Sequence, residues 1–532
     1  MPLRVVRQAI DQFLERTDYE LAIKRINNDV QSDFIYAPHL SIIFKKAADE
    51  LGEFLSNKLQ SEQYNPRLPI NLEVPKSNEF TRPGSILYPC ERLAYQAAVD
   101  IIAPEAERAL DRSRVFSYEL LEEDPNGYMF KPADECYGKF DERKLSYLEN
   151  EENSEVLYAD VSCYFERLNQ HELVNSLSRA GCDELIVKFL DRLLSAFTQR
   201  DSRGIVQGIY PSDCLGSFYL SPIDTQFEVE EIPSIRYVDD IYVFLNSPRE
   251  ARFNRIQLSQ RLRKLGLNLN ELKTKIFPAE ELIQEETEID RMMESAKDEA
   301  NLELNREDFY SSTISWDILY DDVVPDEVEV SAPELEATKR LFNQTAVSTE
   351  LRDKIDRRCL RNFEAAQDES AVDYVLNNFV SKPHMAQRYA RYLKRFIKRN
   401  SAICEKVEQI FLEEDFIYDF QLHWLYALLE CSSQLRNETV VSAIRHLQDP
   451  KRSVVIRAVS AILIGKFGSS SQRGLLKSHY EDEASSYVRA AIIYAAKHFP
   501  QGERNICFTT WRGHDEIFPL VVEAARRTID ED

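Results

Sequence analysis

Two short stretches of the chain contain aspartates at positions where burying an unpaired carboxylate would cost folding free energy. Asp160 ends the apolar run VLYA, and a charge at the end of a buried strand needs a partner or a metal ion. Asp239 and Asp240 lie between two β-like runs, 234–238 and 241–245, which predicts a tight hairpin with the acidic pair at its turn. Phosphoryl transfer by two metal ions needs carboxylates that bridge ions about 3.5–4 Å apart. One strand and one neighbouring turn could supply them.

Each carboxylate also has a simpler explanation, because Asp pairs form turns and a strand-terminal Asp often caps a helix. Three more stretches favour the explanation in which these carboxylates bind metal ions. RGIVQGIYPS places Gln207 and Gly208 before an expected helix, where glycine lets the backbone approach a nucleotide. GLNLNELKT contains Lys273, which could protonate or neutralise a leaving pyrophosphate. RPGSILYP begins with Arg82, whose guanidinium could bind a triphosphate.

In this order the stretches resemble the motifs of the reverse transcriptases, over about residues 80–280. The matching segments are Asp160 with Phe165 for the first palm motif, Gln207-Gly208 for the second, Tyr237-Val238-Asp239-Asp240 for the third, 266–274 for the fourth and 82–89 for the fingers motif.

The resemblance implies a role for each matching residue. Asp160 and Asp239 would bind Mg²⁺ or Mn²⁺, with Asp240 in support. Phe165 would stand at the steric gate and favour deoxynucleotides, although a lone aromatic here is ordinarily a core residue. The chain departs from the family in its second motif, where Val206 replaces the usual proline and 209–212 replace the usual Ser-Pro.

Composition limits the remaining classes of protein. The chain of 532 residues is 43% hydrophobic with 14 glycines, which excludes disordered and fibrous proteins. Its formal charge of −25 excludes a uniform basic coat for nucleic acid. Nine scattered cysteines without a C-x-x-C pair argue against a zinc site or a disulfide framework. No apolar run reaches the ~18 residues of a membrane span, so we expect a cytoplasmic protein that does not bind membranes, and the resemblance described below implies a bacterial one.

We expect four segments along the chain. Residues 1–65 are predicted as helical, 66–280 as α+β reverse-transcriptase fingers and palm, 281–337 as an acidic connector and 338–532 as helical. The stretch 279–337 contains 20 Asp and Glu against 3 Lys and Arg. In the last segment, 453–467 realign on 485–499, 32 positions later. This repeat resembles HEAT-like repeats and predicts an α-solenoid.

A palm followed by a HEAT-like domain resembles the abortive-infection branch of bacterial defence reverse transcriptases. That resemblance implies antiphage defence, DNA synthesis from dNTPs without a template, a single-stranded product attached to a protein hydroxyl, and a homo-oligomer. Two alternatives stay open: an enzyme templated by a noncoding RNA partner, and a HEAT-type scaffold that senses nucleotides without turnover.

Two further patterns concern the product. Arg388, Arg391, Arg395 and Lys398 recur at helical spacing with interleaved aromatic residues, which favours either a single-strand binding stripe or an ordinary solvated helix face. Tyr36 falls in an expected connection between helices, DFIYAPHL, and is the candidate priming hydroxyl.

Overall fold

The computed structural model describes residues 3–77, 79–121, 124–150, 152–282, 330–344 and 349–529. Most of the predicted acidic connector, 283–329, lies outside the described residues. The chain forms two compact units. Unit 1 comprises Met1–Ser32, Leu55–Leu68 and Cys90–Asp321, and unit 2 comprises Asp33–Phe54, Pro69–Pro89 and Asp322–Asp532.

These units differ from the four predicted segments. Residues 33–54 and 69–89 group with the C-terminal half of the chain, although both precede the palm in sequence. Local hydrophobic patterns report which face of an element is buried but not which distant element buries it. The predicted boundaries therefore followed chain order, whereas the units follow packing.

Helices and short strands are interspersed up to residue 278. In chain order they are α1 (Leu3–Arg16), α2 (Tyr19–Asp29), α3 (Pro38–Lys46), α4 (Ala48–Gln60), β1 (Ile70–Pro75), β2 (Thr81–Ile86), α5 (Pro89–Arg108), α6 (Ala133–Leu148), β3 (Glu155–Ala159), α7 (Tyr164–Arg167), α8 (Gln170–Arg179), α9 (Glu184–Phe197), α10 (Tyr210–Tyr219), α11 (Ser221–Val229), β4 (Ser234–Tyr237), β5 (Asp240–Leu245), α12 (Pro248–Lys264) and β6 (Lys275–Pro278).

The described elements after residue 330 are helical. They are α13 (Ala332–Phe342), α14 (Thr349–Ala365), α15 (Val372–Asn378), α16 (Ala386–Ile397), α17 (Ser401–Glu413), α18 (Asp419–Glu430), α19 (Asn437–Gln448), α20 (Val454–Phe467), α21 (Ser470–Asp482), α22 (Ser486–Ala495), α23 (Gln501–Trp511) and α24 (Phe518–Ile529), with short 3₁₀ turns at Pro383–Met385 and Ala496–His498. No helix in the described ranges is both long and apolar enough to cross a lipid bilayer.

Unit 1 is built around a four-stranded antiparallel sheet in the order β4-β5-β3-β6. The apolar run before Asp160 and the β-like run 241–245 form its two central strands, β3 and β5, where Ala159 pairs with Ile241. Side chains of successive strand residues point to opposite faces. On one face, Phe140 of α6 packs edge-on against Tyr237 and Tyr242.

Helix α12 contacts β3, β5 and β6 of the sheet. Ser247 caps its start by accepting a hydrogen bond from the Glu250 N–H at 3.3 Å. Leu258 and Leu262, four residues apart, are fully buried, as expected for the core-facing stripe of an amphipathic helix. Helices α6 and α12 therefore both pack on the sheet.

Unit 2 combines the β1–β2 hairpin with α13–α24. Its later helices pack on second neighbours along the chain: α16 on α18, α18 on α20, α20 on α22, and α22 on α24. The two predicted repeat copies coincide with α20 and with α22 plus the following 3₁₀ turn. Gly465 permits the close approach of α20 to α22, because a Cβ there would lie 2.6 Å from Ala495 Cβ.

The early segment 33–54 is integrated into unit 2. Helix α3 packs on α24, and Arg527 of α24 donates to the Lys46 carbonyl at the end of α3, at 2.7 Å. Ile43 and Phe44 of α3 are buried. The whole chain is thus a helix-rich α+β protein.

Candidate active site

The acidic pair lies at the hairpin between β4 and β5. Tyr237 pairs with Asp240, so Val238 and Asp239 form the turn and Asp240 begins β5. Val238 has a φ of 55°. A positive φ at the first turn residue is the pattern of a type II′ hairpin, where glycine is normally found. The predicted hairpin is present, but its turn is Val238-Asp239, one residue earlier than the predicted Asp239-Asp240 turn.

Asp160 lies beside this hairpin. It directly follows β3, and because Ala159 pairs with Ile241, Asp160 falls opposite Asp240 at the next step of the ladder. Asp160 is buried, and both carboxylate oxygens accept hydrogen bonds. Oδ1 accepts from Lys273 Nζ at 2.8 Å, and Oδ2 accepts from Asn270 Nδ2 at 2.8 Å.

The loop that carries Lys273 runs alongside the residues after β3. Ser162 N–H donates to the Asn268 carbonyl at 2.9 Å, and Asn270 N–H donates to the Asp160 carbonyl at 2.8 Å. Gly266 starts the loop with a φ of 79°, a conformation that favours glycine. The stretches similar to the first and fourth palm motifs are therefore adjacent in space.

The charges at this end of the sheet strongly perturb one another. Burial raises the pKa of Asp239 well above its usual value, and the neighbouring carboxylates of Asp240 and Asp160 raise it further. Burial opposes the charge of Lys273, but its hydrogen bond and attraction to Asp160 leave its pKa raised. Tyr158 OH donates to Asp240 Oδ1 at 2.5 Å. Three carboxylates thus face one ammonium and one phenol.

This donor set fits a hard divalent cation, because carboxylate oxygens are the ligands that Mg²⁺ prefers. The mutual repulsion expressed in the raised pKa of Asp239 is what a bound cation would relieve. Within the described ranges, no three His, Cys, Asp or Glu side chains already converge as a metal site. Asp160 is hydrogen-bonded to Lys273, and Asp240 is hydrogen-bonded to Tyr158. Binding of a metal ion would require these carboxylates to give up or share those hydrogen bonds.

The segment similar to the second palm motif precedes α10. Gln207 is half-buried, and Gly208 has a φ of 79°, a backbone conformation that favours glycine. Phe165, the predicted steric gate, is only 4% exposed. Its ring packs on α10 at Gly216, where a Cβ would lie 2.7 Å from Phe165 Cε1.

Gly216→Ala tests whether Phe165 senses the sugar. The added Cβ must push the buried ring, which we expect to cost about 1–3 kcal/mol of unfolding free energy by overpacking. If the ring contacts the nucleotide, the ratio of kcat/KM for dNTPs to that for ribonucleotides changes as well. Gly138→Ala on α6 is the control, because nothing lies within 4 Å of its added Cβ. A lower Tm with an unchanged ratio would make Phe165 a core residue only.

Arg82 lies in unit 2, whereas Asp160 lies in unit 1. Arg82 is part of β2, and its guanidinium lies 4.5 Å from the ring centre of Phe34. In unit 1, Arg92 is 2% exposed and forms an ion pair with Asp29. Arg92 is thus held in the interior of unit 1, whereas Arg82 lies half-buried against Phe34 in unit 2.

The predicted basic stripe on α16 does not form as one exposed face. Arg388 is 2% exposed and forms an ion pair with Glu364. Arg395 Nε lies 3.5 Å from Glu364 Oε1, and Arg391 is half-buried. Of the four basic residues only Lys398 is exposed. The interleaved aromatic side chains are buried and cannot stack on bases without rearrangement: Tyr389, Tyr392 and Phe396.

Tyr36 is held inside unit 2. Its hydroxyl donates to Glu430 Oε2 at 2.8 Å, and its backbone N–H donates to His423 Nε2 at 2.7 Å. Burial, followed by the Glu430 carboxylate, raises the pKa of the Tyr36 hydroxyl well above its usual value. A nucleophile for priming needs an accessible oxygen that is easily deprotonated, and this geometry corrects the choice of Tyr36.

Sequence reasoning missed two residues of the site. Asn270 binds Asp160, and Tyr158 binds Asp240. Tyr158 lies two residues before Asp160, on the same face of β3, and this spacing was a usable signal. Asn270 carried no comparable signal, because its contact with Asp160 joins residues 110 positions apart.

Comparison with known proteins bears on this site. The family described as reverse transcriptase (RNA-dependent DNA polymerase) matches residues 107–295. No curated protein matches the chain. Among solved structures, telomerase from Candida Tropicalis with a TWJ fragment of telomeric RNA is similar at 12% identity and a TM-score of 0.33, covering 78% of this chain and 68% of that one. Apo telomerase from the same organism is similar at 10% identity and a TM-score of 0.32, covering 89% and 74%.

The family match includes β3, the β4–β5 hairpin and the loop after α12. It therefore contains Asp160, Asp239, Asp240 and Lys273, which the structure brings to one end of the sheet. The chain carries a reverse transcriptase domain and is a nucleotidyltransferase of the polymerase type.

Proposed function

We propose that Asp160 and Asp239, supported by Asp240, bind divalent metal ions and that this site extends DNA by phosphoryl transfer from dNTPs. The observation that carries the proposal is that Asp160 and Asp240 lie opposite each other at the end of the β3–β5 pair, within the family match. Asp239 is in the adjoining turn, and Lys273 is hydrogen-bonded to Asp160. When bound, the ions would activate a 3′-hydroxyl and stabilise the leaving pyrophosphate.

The side chains around the metal ligands have separate tasks. Lys273 is a cation beside Asp160 with a 60% exposed side chain, so it would be able to neutralise charge on a pyrophosphate. Tyr158 orients Asp240 through the 2.5 Å hydrogen bond. Gln207 and Gly208 lie before α10, where a side-chain amide and an open backbone suit a nucleotide.

We further propose that synthesis needs no template, starts on a protein hydroxyl and serves antiphage defence in the bacterial cytoplasm. The support is the charge of −25 together with a long helical unit after the palm. Phosphate contacts dominate affinity for nucleic acid, so an acidic protein is expected to bind a long duplex weakly. The packing of second-neighbour helices supports a HEAT-like repeat, whose broad surfaces suit a homo-oligomer.

RNA-templated synthesis is the second candidate. The family that matches residues 107–295 is described as RNA-dependent, which favours a template in the form of RNA. RNA that copurifies with the protein and templates the product would support it.

One assay separates these proposals. The full chain is incubated with labelled dNTPs and Mg²⁺, without template or primer, and the products are run on a denaturing gel with and without protease. A labelled ladder that protease releases supports untemplated, protein-primed synthesis, and mass spectrometry of the digest then identifies the hydroxyl. Product that forms only with added RNA supports the templated enzyme, and the absence of product under both conditions contradicts polymerisation.

A further inference from the structure

The turn that carries Asp239 is strained and held by side chains outside the reverse-transcriptase motifs. Val238 has a φ of 55° and is 1% exposed. For a β-branched residue this backbone conformation is unfavourable and persists only where its surroundings enforce it. The structure therefore has to contain groups that hold Val238 in place.

Ser117 holds the N–H side of Val238. Its Oγ accepts a hydrogen bond from the Val238 N–H at 2.9 Å, and Ser117 is fully buried. The segment before it runs beside β4, where the Arg236 N–H donates to the Arg114 carbonyl at 2.8 Å and the Phe116 N–H donates to the Arg236 carbonyl at 3.2 Å. Ser117 is thus fixed by backbone pairing.

Arg236 holds the carbonyl side of Val238. Nη1 donates to the Val238 carbonyl at 3.0 Å, while Nε and Nη2 bind the Asp224 carboxylate at 2.8–3.0 Å. Nη2 also donates to the Ser217 carbonyl at 2.6 Å. Arg236 is 1% exposed, so its planar fork ties the turn to α10 and α11 inside the core.

We propose that Arg236 and Ser117 are positioning residues that force the Val238-Asp239 turn into its strained conformation and so place the Asp239 carboxylate for metal binding. This inference rests on the proposed function of the site. Catalytic groups must be held to a fraction of an ångström, and a displacement of ~1 Å can cost ~10²-fold in rate. Glycine at position 238 would adopt this φ without strain, whereas valine does not. The conformation of the turn therefore depends on the hydrogen bonds with Ser117 and Arg236.

Ser117→Ala is the first test. We expect kcat for dNTP incorporation to fall roughly 10- to 100-fold, with the KM for dNTP little changed, because the fault is in Asp239 placement. Ser176→Ala, another buried serine of unit 1, on α8, controls for the loss of a hydroxyl. A Ser117→Ala enzyme with unchanged kcat would overturn the proposal.

Arg236→Lys is the second test. Lysine keeps the positive charge beside Asp224 but cannot reach the Val238 carbonyl, Ser217 and Asp224 together. We expect a loss of kcat like that of Ser117→Ala. Arg261→Lys is the matched control, since Arg261 binds the Glu230 carboxylate with its guanidinium in the same unit.

Val238→Gly distinguishes positioning of the turn from a general role of Ser117 in stability. The measurement is the effect of Ser117→Ala on kcat in the Val238→Gly background. Glycine adopts a positive φ without strain, so the added effect of Ser117→Ala should shrink several-fold in the Val238→Gly background. Additive effects in this double-mutant cycle would contradict the mechanism.

Hydrogen exchange separates failure of this inference from failure of the proposed function. We expect amide exchange in residues 234–245 to quicken in Ser117→Ala at unchanged exchange elsewhere, with no need for polymerase activity. Faster exchange in an enzyme that incorporates no dNTP at all would uphold the held turn and reject the polymerase. Unchanged exchange in that segment would reject the held turn.

Discussion

Asp239→Asn is expected to abolish dNTP incorporation, with a fall in kcat of about 10³-fold or more. A metal-held charge stabilises the transition state by several kcal/mol, and about 1.4 kcal/mol is a factor of ten. Asparagine keeps the shape of the side chain but removes the anionic oxygen that a divalent cation requires. Incorporation of labelled dNTP by the full chain measures the effect.

The same variant should fold at least as well as the wild type. Asp239 is a half-buried acid whose pKa is raised by loss of hydration and by the neighbouring Asp240 and Asp160. An acid with a raised folded-state pKa costs stability at any pH above its ordinary pKa, so removing the charge should keep or increase Tm at pH 7. Asp201→Asn, at an exposed position, is the control. A lower Tm, or retained incorporation, would contradict the assigned role.

Glu364→Ala is expected to destabilise unit 2 by about 3–5 kcal/mol, because it leaves the buried Arg388 guanidinium without its carboxylate. The Glu364 side chain is 9% exposed and that of Arg388 is 2% exposed. Arg388 Nη2 also donates to the Leu360 carbonyl at 3.3 Å. Urea unfolding measures the loss.

Two companion variants make this result specific. Lys398→Ala, at the exposed C-terminal end of α16, should leave the unfolding midpoint unchanged. The double variant Glu364→Leu with Arg388→Met should recover most of the lost stability, since apolar replacement of a whole buried pair is often neutral or stabilising. If Arg388→Ala instead weakens single-stranded DNA binding without lowering stability, then the predicted basic stripe is functional after all.

Local patterns predicted the palm because each of its parts is local. The apolar run before Asp160 and the runs around Asp239-Asp240 specify strands and a turn by their own residues. The chemistry expected of the carboxylates placed the strand before Asp160 beside the hairpin, but that β3 pairs with β5 was not predicted. A site at strand ends can be predicted from the sequence when its residues carry charges that are unfavourable to bury.

The basic stripe was misread for the opposite reason. Helical spacing correctly placed Arg388, Arg391 and Arg395 on neighbouring turns of α16, but spacing does not reveal a partner on another helix. Glu364 lies 24 residues before Arg388 and removes it from the surface. Tyr36 was misjudged likewise, since Glu430 lies 394 residues away.

Arg236 carried a signal in the sequence that went unused. It stands inside the apolar run before Tyr237, and a charge in the middle of a strand that is buried on both sides needs a buried partner. The sequence offers no way to choose Asp224 among many acids. The sequence therefore predicts that Arg236 has a buried acidic partner, but it does not predict that this partner is Asp224.

The packing of α3 on α24 bears on the order of events during synthesis. Phe518, where α24 begins, is made 472 residues after Lys46, where α3 ends. At about 5–20 residues per second the nascent α3 waits roughly 25–95 s for its partner to be translated. Until then, the part of α3 that packs on α24 is accessible to chaperones or to other chains on the polysome. A stop codon before α24 therefore removes one packing partner of this early helix.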